Sequence, residues 1–257
     1  MANNENTVYK EFNDKLQNDA FKPDAPKKFW SHVEVKQNEY GYSIFLDGRV
    51  LKTPLKKSVS LPNLALAEAV AAEWQAQQGH IKPRTMPLSR LAMTVIDQLQ
   101  DDPKMQSQWI TEASQYLETD LLLFPSPSPQ ELYMKEQQQW LPLIEWSGAI
   151  LHHQFHVHEG LSVSTYNQKA VERLKQHIQN YNLWKQAAYV TFVQICGSAI
   201  VALAVAEGKI DGDNAQKAVL VQEYYQRDQW GSDAELDAQI ANKKFEISAF
   251  SYFLQHI

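Results

Sequence analysis

Residues Ala187–Ala206 are apolar on nearly every side, and this stretch most limits what the chain can become. A helix without a polar face either crosses a bilayer or fills the centre of a helical bundle. Its length matches the ~20 residues a bilayer requires. It nevertheless contains Thr191, Gln194, Gly197 and Ser198, is rich in alanine rather than leucine, and is flanked by Lys185 and Lys209 without orientation bias. The bundle centre is the better reading, so we expect a helical domain and no membrane span. Composition agrees, since 44% hydrophobic and 21% charged residues over 257 positions suit an ordinary globular core. The net charge of −6 offers no broad basic surface and predicts no nucleic-acid partner. The single cysteine, Cys196, excludes an internal disulfide framework and, inside the apolar segment, reads as an inert core thiol.

Upstream the pattern is mixed. Residues 1–25 read as a flexible leader whose acids Glu5, Glu11, Asp14 and Asp19 match neither a secretory signal nor a transit peptide. Val33 and Val35 alternate with polar residues, as in a half-buried strand. Tyr42–Leu46 and Arg49–Thr53 flank Asp47-Gly48, a pair that favours the positive φ angles of a two-residue hairpin turn. Ser58–Leu61 reads as one more short strand, and Leu64, Leu66, Ala67, Val70, Ala71 and Trp74 line a helix face running up to Gly79. Further helices are expected over Leu88–Leu99 and Met105–Leu123. The run Pro125-Ser126-Pro127-Ser128-Pro129 is the strongest linker signal in the chain, so the domain boundary is placed there. Beyond it the pattern is helical: Gln130–Ile150, Asn167–Asn180, Ala187–Ala206, a helix containing Glu223, and Asp233 to about Leu254. The expected fold is an α+β N-terminal domain of short antiparallel strands plus helices over 26–124, followed by an all-α C-terminal domain over 130–257.

Val219–Gly231 is the most unusual helical pattern. One continuous helix would set Val219, Glu223, Gln226 and Trp230 on a single stripe. A core stripe would be apolar throughout, and a solvent stripe would not carry a tryptophan. Gly231 stops the helix, and Ser232-Asp233-Ala234-Glu235 is a capping box that starts the next. The stripe is therefore either a binding face or a half-buried helix whose Glu223 pairs with Arg227 one turn on.

Catalytic signatures are sparse. The sequence shows no phosphate loop, no dinucleotide fingerprint, no His-Glu-x-x-His and no nucleophile elbow. His152, His153, His156 and His158 form the one metal-like cluster, with Glu159 as a further candidate ligand, yet local imidazole clusters are more often solvated surface. Glu118 and Asp120 fall on helix positions that do not face each other, which argues against an acid/base pair. No catalytic residue, metal or cofactor is expected.

The order of motifs resembles the ATP synthase F1 assembly chaperones that attend the alpha subunit, the Atp-twelve type. The residues that carry the resemblance are Phe29-Trp30, Gly41-Tyr42 through Leu46-Asp47-Gly48-Arg49, Leu51–Pro54, Leu61-Pro62, and Glu73-Trp74 with Gln77. Met86-Pro87-Leu88, Arg90-Leu91-Ala92, Glu118–Asp120, Trp140-x-Pro142-Leu143, Gly197-Ser198 and Gln226 to Trp230-Gly231 continue the series to about residue 245. The resemblance implies a binding protein rather than an enzyme, whose client is the unassembled F1 alpha subunit with its beta-facing apolar surface bare. In the family an acidic residue in the helix before Trp-Gly is held to be important, and the matching carboxylate here is Glu223. Partner-binding residues are accordingly expected at Glu223, Gln226, Trp230 and Val219, while Trp74 and Arg90 are structural or partner-binding. A monomer is expected, cytoplasmic in a bacterium, or in the mitochondrial matrix if a presequence has been removed. The rival reading is a small-molecule or metal-dependent enzyme that uses the His152–His158 region with Glu223.

Overall fold

Alternation of apolar and polar side chains from Val33 onward builds an antiparallel sheet whose central strand takes partners on both edges. The computed structural model describes residues 26–157, 167–231 and 233–257. The leader over 1–25, His158, Glu159 and Ser232 lie outside the described residues. Strands β1 (Val33–Asn38), β2 (Gly41–Leu46), β3 (Arg49–Val50) and β4 (Ser60–Leu61) form one sheet. β1 lies along one edge of β2 with Val35 opposite Ile44, and β3 and β4 share the other edge, with Val50 opposite Phe45 and Leu61 opposite Tyr42. The hairpin turns at Asp47 and Gly48, both at positive φ, as the Asp-Gly pair anticipates.

At the start of β2, Gly41 has a φ of 132°, and a Cβ there would stand 2.2 Å from the Leu61 carbonyl oxygen. Only glycine lets β4 approach β2 this closely.

Helix α1 (Leu64–Gln75) begins where Asn63 Oδ1 accepts the Leu66 N–H at 3.0 Å, and it packs on the sheet through Leu66, Ala67, Val70 and Trp74. It ends before Gly79, because buried Gln77 turns the chain instead. Its amide donates to the Glu73 carbonyl and to Thr85 Oγ1, and its Oε1 accepts from the Lys82 N–H. Helix α2 (Pro87–Thr94) follows. The Glu73 carboxylate accepts from the N–H groups of Leu88 and Ser89 and from Ser89 Oγ, satisfying donors that a helix start leaves open. Burial raises the Glu73 pKa, and these hydrogen bonds with the charge of Arg90 work against the rise.

The remaining elements are helical: α3 (Pro103–Gln115), α4 (Gln130–Ile150), α5 (Gln168–Gln179), α6 (Leu183–Cys196), α7 (Ala199–Ala206), α8 (Gly212–Val219), α9 (Val221–Trp230) and α10 (Ala234–Gln255). Every residue of α7 is buried, and α4, α6, α8 and α10 pack around it. This is the bundle centre expected of the apolar stretch, but the stretch is two helices rather than one. Gly197 takes φ 67°, a left-handed conformation that glycine adopts without steric cost, and Ser198 then caps α7. Among the described residues, no helix is long and apolar enough to cross a membrane.

The break is fastened from a distance. Asp120 is fully buried, and its carboxylate accepts from Ser198 Oγ at 2.7 Å, the Ile200 N–H at 3.0 Å and the Leu122 N–H at 3.1 Å. The helix expected over Met105–Leu123 therefore stops at Gln115. Two 3₁₀ turns follow, with an extended Asp120 between them.

The domain division also differs from expectation. The chain separates into two units between Asp97 and Gln98, upstream of the proline run. Residues 98–124 belong with the helices, because α3 packs against α5 and α6 and Asp120 is bound to the start of α7. The proline run is itself tied to α4, where the Glu136 carboxylate accepts from the Ser126 N–H and Oγ.

Replacing Gly41 with alanine should destabilise the protein by about 2 kcal/mol or more, since overpacking alone costs ~1–3 kcal/mol and the positive φ adds strain; chemical denaturation measures it. Asp120→Asn should cost ~1–3 kcal/mol, because one amide nitrogen would then face a buried donor. Burial raises the native Asp120 pKa from 3.8 to about 6. Between those values the native state holds a proton that the unfolded state has released, so this group adds stability as pH falls through 6 and stops adding below 3.8. The melting-temperature gap between wild type and Asp120→Asn should accordingly widen from pH 7 to pH 4, and a gap that narrows would contradict this.

Candidate functional site

The stripe expected from Val219 to Trp230 divides at Leu220. There the backbone leaves the helical region, with φ −104° and ψ 15°, so α8 and α9 are separate helices. In an unbroken helix the Ala218 carbonyl would accept from the N–H of residue 222. Instead it accepts the indole N–H of Trp140 at 2.7 Å, in the buried interior. One turn earlier on α4, Glu136 Oε1 accepts from the side-chain amide Nε2 of Gln222 at 2.8 Å. Trp140 thus takes over the carbonyl that the corner frees, and Glu136 holds the side chain of Gln222 just beyond it.

The division removes Val219 from the face. It ends α8 with 2% of its surface exposed and packs in the core, so the expectation that it binds a partner is corrected. Glu223, Gln226 and Trp230 remain together on α9, three and four residues apart. Glu223 is half-buried, Gln226 is exposed, and Trp230 is 77% exposed. Glu223 does not pair with Arg227. Its Oε1 lies 3.2 Å from Lys243 Nζ on α10, while the Arg227 guanidinium stands 5.3 Å over the Tyr224 ring.

α9 and the first turns of α10 share a small core of Leu220, Leu236 and Ile240, with Tyr224 packed against it. α10 is capped by the Asp233 carboxylate, which accepts from the N–H groups of Glu235 and Leu236. In its first half α10 buries Leu236 and Ile240, and its deeper burial begins at Ile247. The corner therefore carries exposed side chains on both helices, including Trp230 and, further along α10, Phe245. Between Gln226 and Asp237 the exposed acids Asp228, Asp233, Glu235 and Asp237 stand against a single base, Arg227.

The other candidate residues are placed differently. Trp74 lies inside the N-terminal unit, 7% exposed, with its ring centroid 5.2 Å from that of Trp30, whose indole donates to the Trp74 carbonyl. Arg90 is half-buried on α2, where its charge favours the ionised Glu73 that holds that helix start. His153 Nε2 lies 3.0 Å from Asn167 Oδ1, and the His152 carbonyl accepts from Arg173. Residues 153–157 form no strand, so no strand sets His153 and His156 on a ligand-bearing face there. Among the described residues, no group of three or more His, Cys, Asp or Glu side chains could hold a metal ion. Burial pushes the Cys196 thiol well above its ordinary range, far from the thiolate form a nucleophile needs.

Sequence reasoning missed Lys243, Glu136 and Gln222. A signal existed for Glu136, which falls on the same three-and-four spacing as Leu132, Trp140 and Ile144, a carboxylate on an apolar stripe. Lys243 is twenty positions from Glu223 across a helical corner, and no local spacing links them.

Comparison with known proteins supplies the family. The family model for ATP12 chaperone protein matches residues 27–148. The mitochondrial protein atp12 of Schizosaccharomyces pombe is 28% identical over 235 residues, covering 87% of this chain and 81% of its own length. A candidate chaperone of known structure from Agrobacterium tumefaciens is 28% identical and superimposes with a TM-score of 0.81 over 98% of this chain and 99% of its own. The crystal structure of Atp12 from Paracoccus denitrificans is 30% identical and superimposes with a TM-score of 0.77, covering 91% of this chain and 99% of that one. With sequence and fold matched over nearly the full length, this chain belongs to the ATP12 family of ATP synthase assembly chaperones.

Proposed function

We propose that the protein binds the unassembled F1 alpha subunit of ATP synthase and shields its beta-facing surface until F1 assembles. The observation that carries this reading is Trp230, a large indole left exposed at the end of α9 beside Gln226 and Glu223. Large aromatic anchors dominate the energy of protein interfaces, and a polar rim sets the partner and its register. The acids Asp228, Asp233, Glu235 and Asp237 around the corner complement an apolar client patch bounded by lysine or arginine. A bare subunit interface aggregates, and a chaperone that covers it stabilises the free subunit by mass action. Binding rather than catalysis is the task, and the corner offers that task exposed side chains on both of its helices.

The test uses purified alpha subunit and two readouts, thermal melting of the chaperone and suppression of alpha-subunit aggregation. Trp230→Ala should leave the melting temperature nearly unchanged, since the side chain is mostly in solvent, and should weaken client binding by about 10-fold or more. The pair Glu223 and Lys243 separates charge from stability. Glu223→Lys alone places two ammonium groups together and should lose up to about 1 kcal/mol of stability. Adding Lys243→Glu restores the ion pair and hence the melting temperature, but leaves the acidic position reversed. Client protection should remain impaired in the double variant. Full protection by the double variant, or by Trp230→Ala, would place the client elsewhere.

A further inference from the structure

Resting on that reading of the α9 face, we propose that Glu136 is its positioning residue: through Gln222 it sets the direction in which α9 presents Glu223, Gln226 and Trp230. Glu136 is fully buried on α4 and makes three hydrogen bonds. Its Oε2 accepts the Ser126 N–H at 2.7 Å, and its Oε1 accepts Ser126 Oγ at 2.9 Å and the Gln222 amide at 2.8 Å. The same amide lies 3.3 Å from Ser126 Oγ, so the carboxylate, the hydroxyl and the amide close a small network.

α9 has particular need of this anchor. It starts at Leu220 without a side-chain cap, and it buries only Val221 and Tyr225. Tyr225 reaches α4 as well, where Lys135 Nζ stands 5.8 Å over its ring. Packing of Val221 and an ammonium over a ring both tolerate sliding, whereas a half-buried side-chain amide bonded to a fully buried carboxylate does not, because a misaligned Gln222 leaves Glu136 without its partner in a low-dielectric interior. Gln222 sits beside Glu223 and eight residues before Trp230. At 1.5 Å per residue the indole is about 12 Å from the anchor, so a tilt of roughly 10° at Gln222 displaces it by about 2 Å. A shift of that size is enough to lose a shape-matched contact.

The network also explains why the proline run sits where it does. Ser126 lies within that run and presents its N–H and hydroxyl to the carboxylate that holds α9. The segment read as a linker is thus part of the support of the binding face.

The experiment measures pose and binding on the same variants. Nitroxide labels at Gln138→Cys on α4 and Gln229→Cys on α9, both exposed positions, report the distance between the helices without any client. Gln222→Ala should shift or broaden that distance by about 2 Å or more and weaken alpha-subunit binding by about 10-fold, at a temperature where circular dichroism shows the protein fully folded. The swap Glu136→Gln with Gln222→Glu rebuilds the contact with its polarity reversed and should restore both readouts, which a general loss of stability would not do. An unchanged label distance in Gln222→Ala overturns the inference. So does a changed distance with unchanged client affinity. Failure of the underlying face reading shows separately, as a Trp230→Ala protein that binds the alpha subunit like wild type while its helix pose is intact.

Discussion

Buried polar side chains that take over backbone groups where helices break are the interaction on which the helical unit depends. An apolar segment as long as Ala187–Ala206 reads as one helix if hydropathy alone is considered. The bundle instead turns it at Gly197, and the donors freed at the start of α7 are received by Ser198 and Asp120. At Leu220 the freed Ala218 carbonyl is received by Trp140. Leaving such groups unpartnered in the interior would cost ~1–3 kcal/mol each. Each corner is therefore only as stable as a side chain from another element makes it. The same device recurs in the N-terminal unit, where Glu73 holds the start of α2.

This construction connects packing with presentation. α4 is a core helix through Leu132, Trp140, Leu143 and Ile144, and the same stripe carries Glu136. The helix that fills the core also aims the exposed helix. Glu223 illustrates a related economy: its ion pair with Lys243 links α9 to α10, so a residue on the candidate client face also helps hold the corner that carries the face. Charge and pose at this site are separable only by swapping both partners.

Much of the fold was legible in local pattern. The Asp47-Gly48 hairpin, the strand at Val33, the helix spans at Gln130–Ile150 and Asn167–Asn180, and the all-α character beyond the sheet followed from periodicity and turn chemistry. The misplaced boundaries share one cause. Pro125–Pro129 has linker composition, yet its backbone is bound to Glu136. Met105–Leu123 has a helical pattern, yet Asp120 is extended to reach Ser198. In each case a hydrogen bond to another element overrode a local preference worth a few tenths of a kcal/mol per residue.

By itself, the sequence determined that α9 carries Glu223, Gln226 and Trp230 on one face, because a 3.6-residue repeat is a property of the chain alone. It determined equally that Ala187–Ala206 is mostly buried, because nearly every side of it is apolar. Only the tertiary structure decided that Val219 leaves that face for the core, that Glu223 pairs with Lys243 rather than Arg227, and that Glu136 supports the helix from behind. Those outcomes depend on which carbonyl, amide or ammonium another element brings within about 3 Å, and no local spacing encodes the docking of one helix on another.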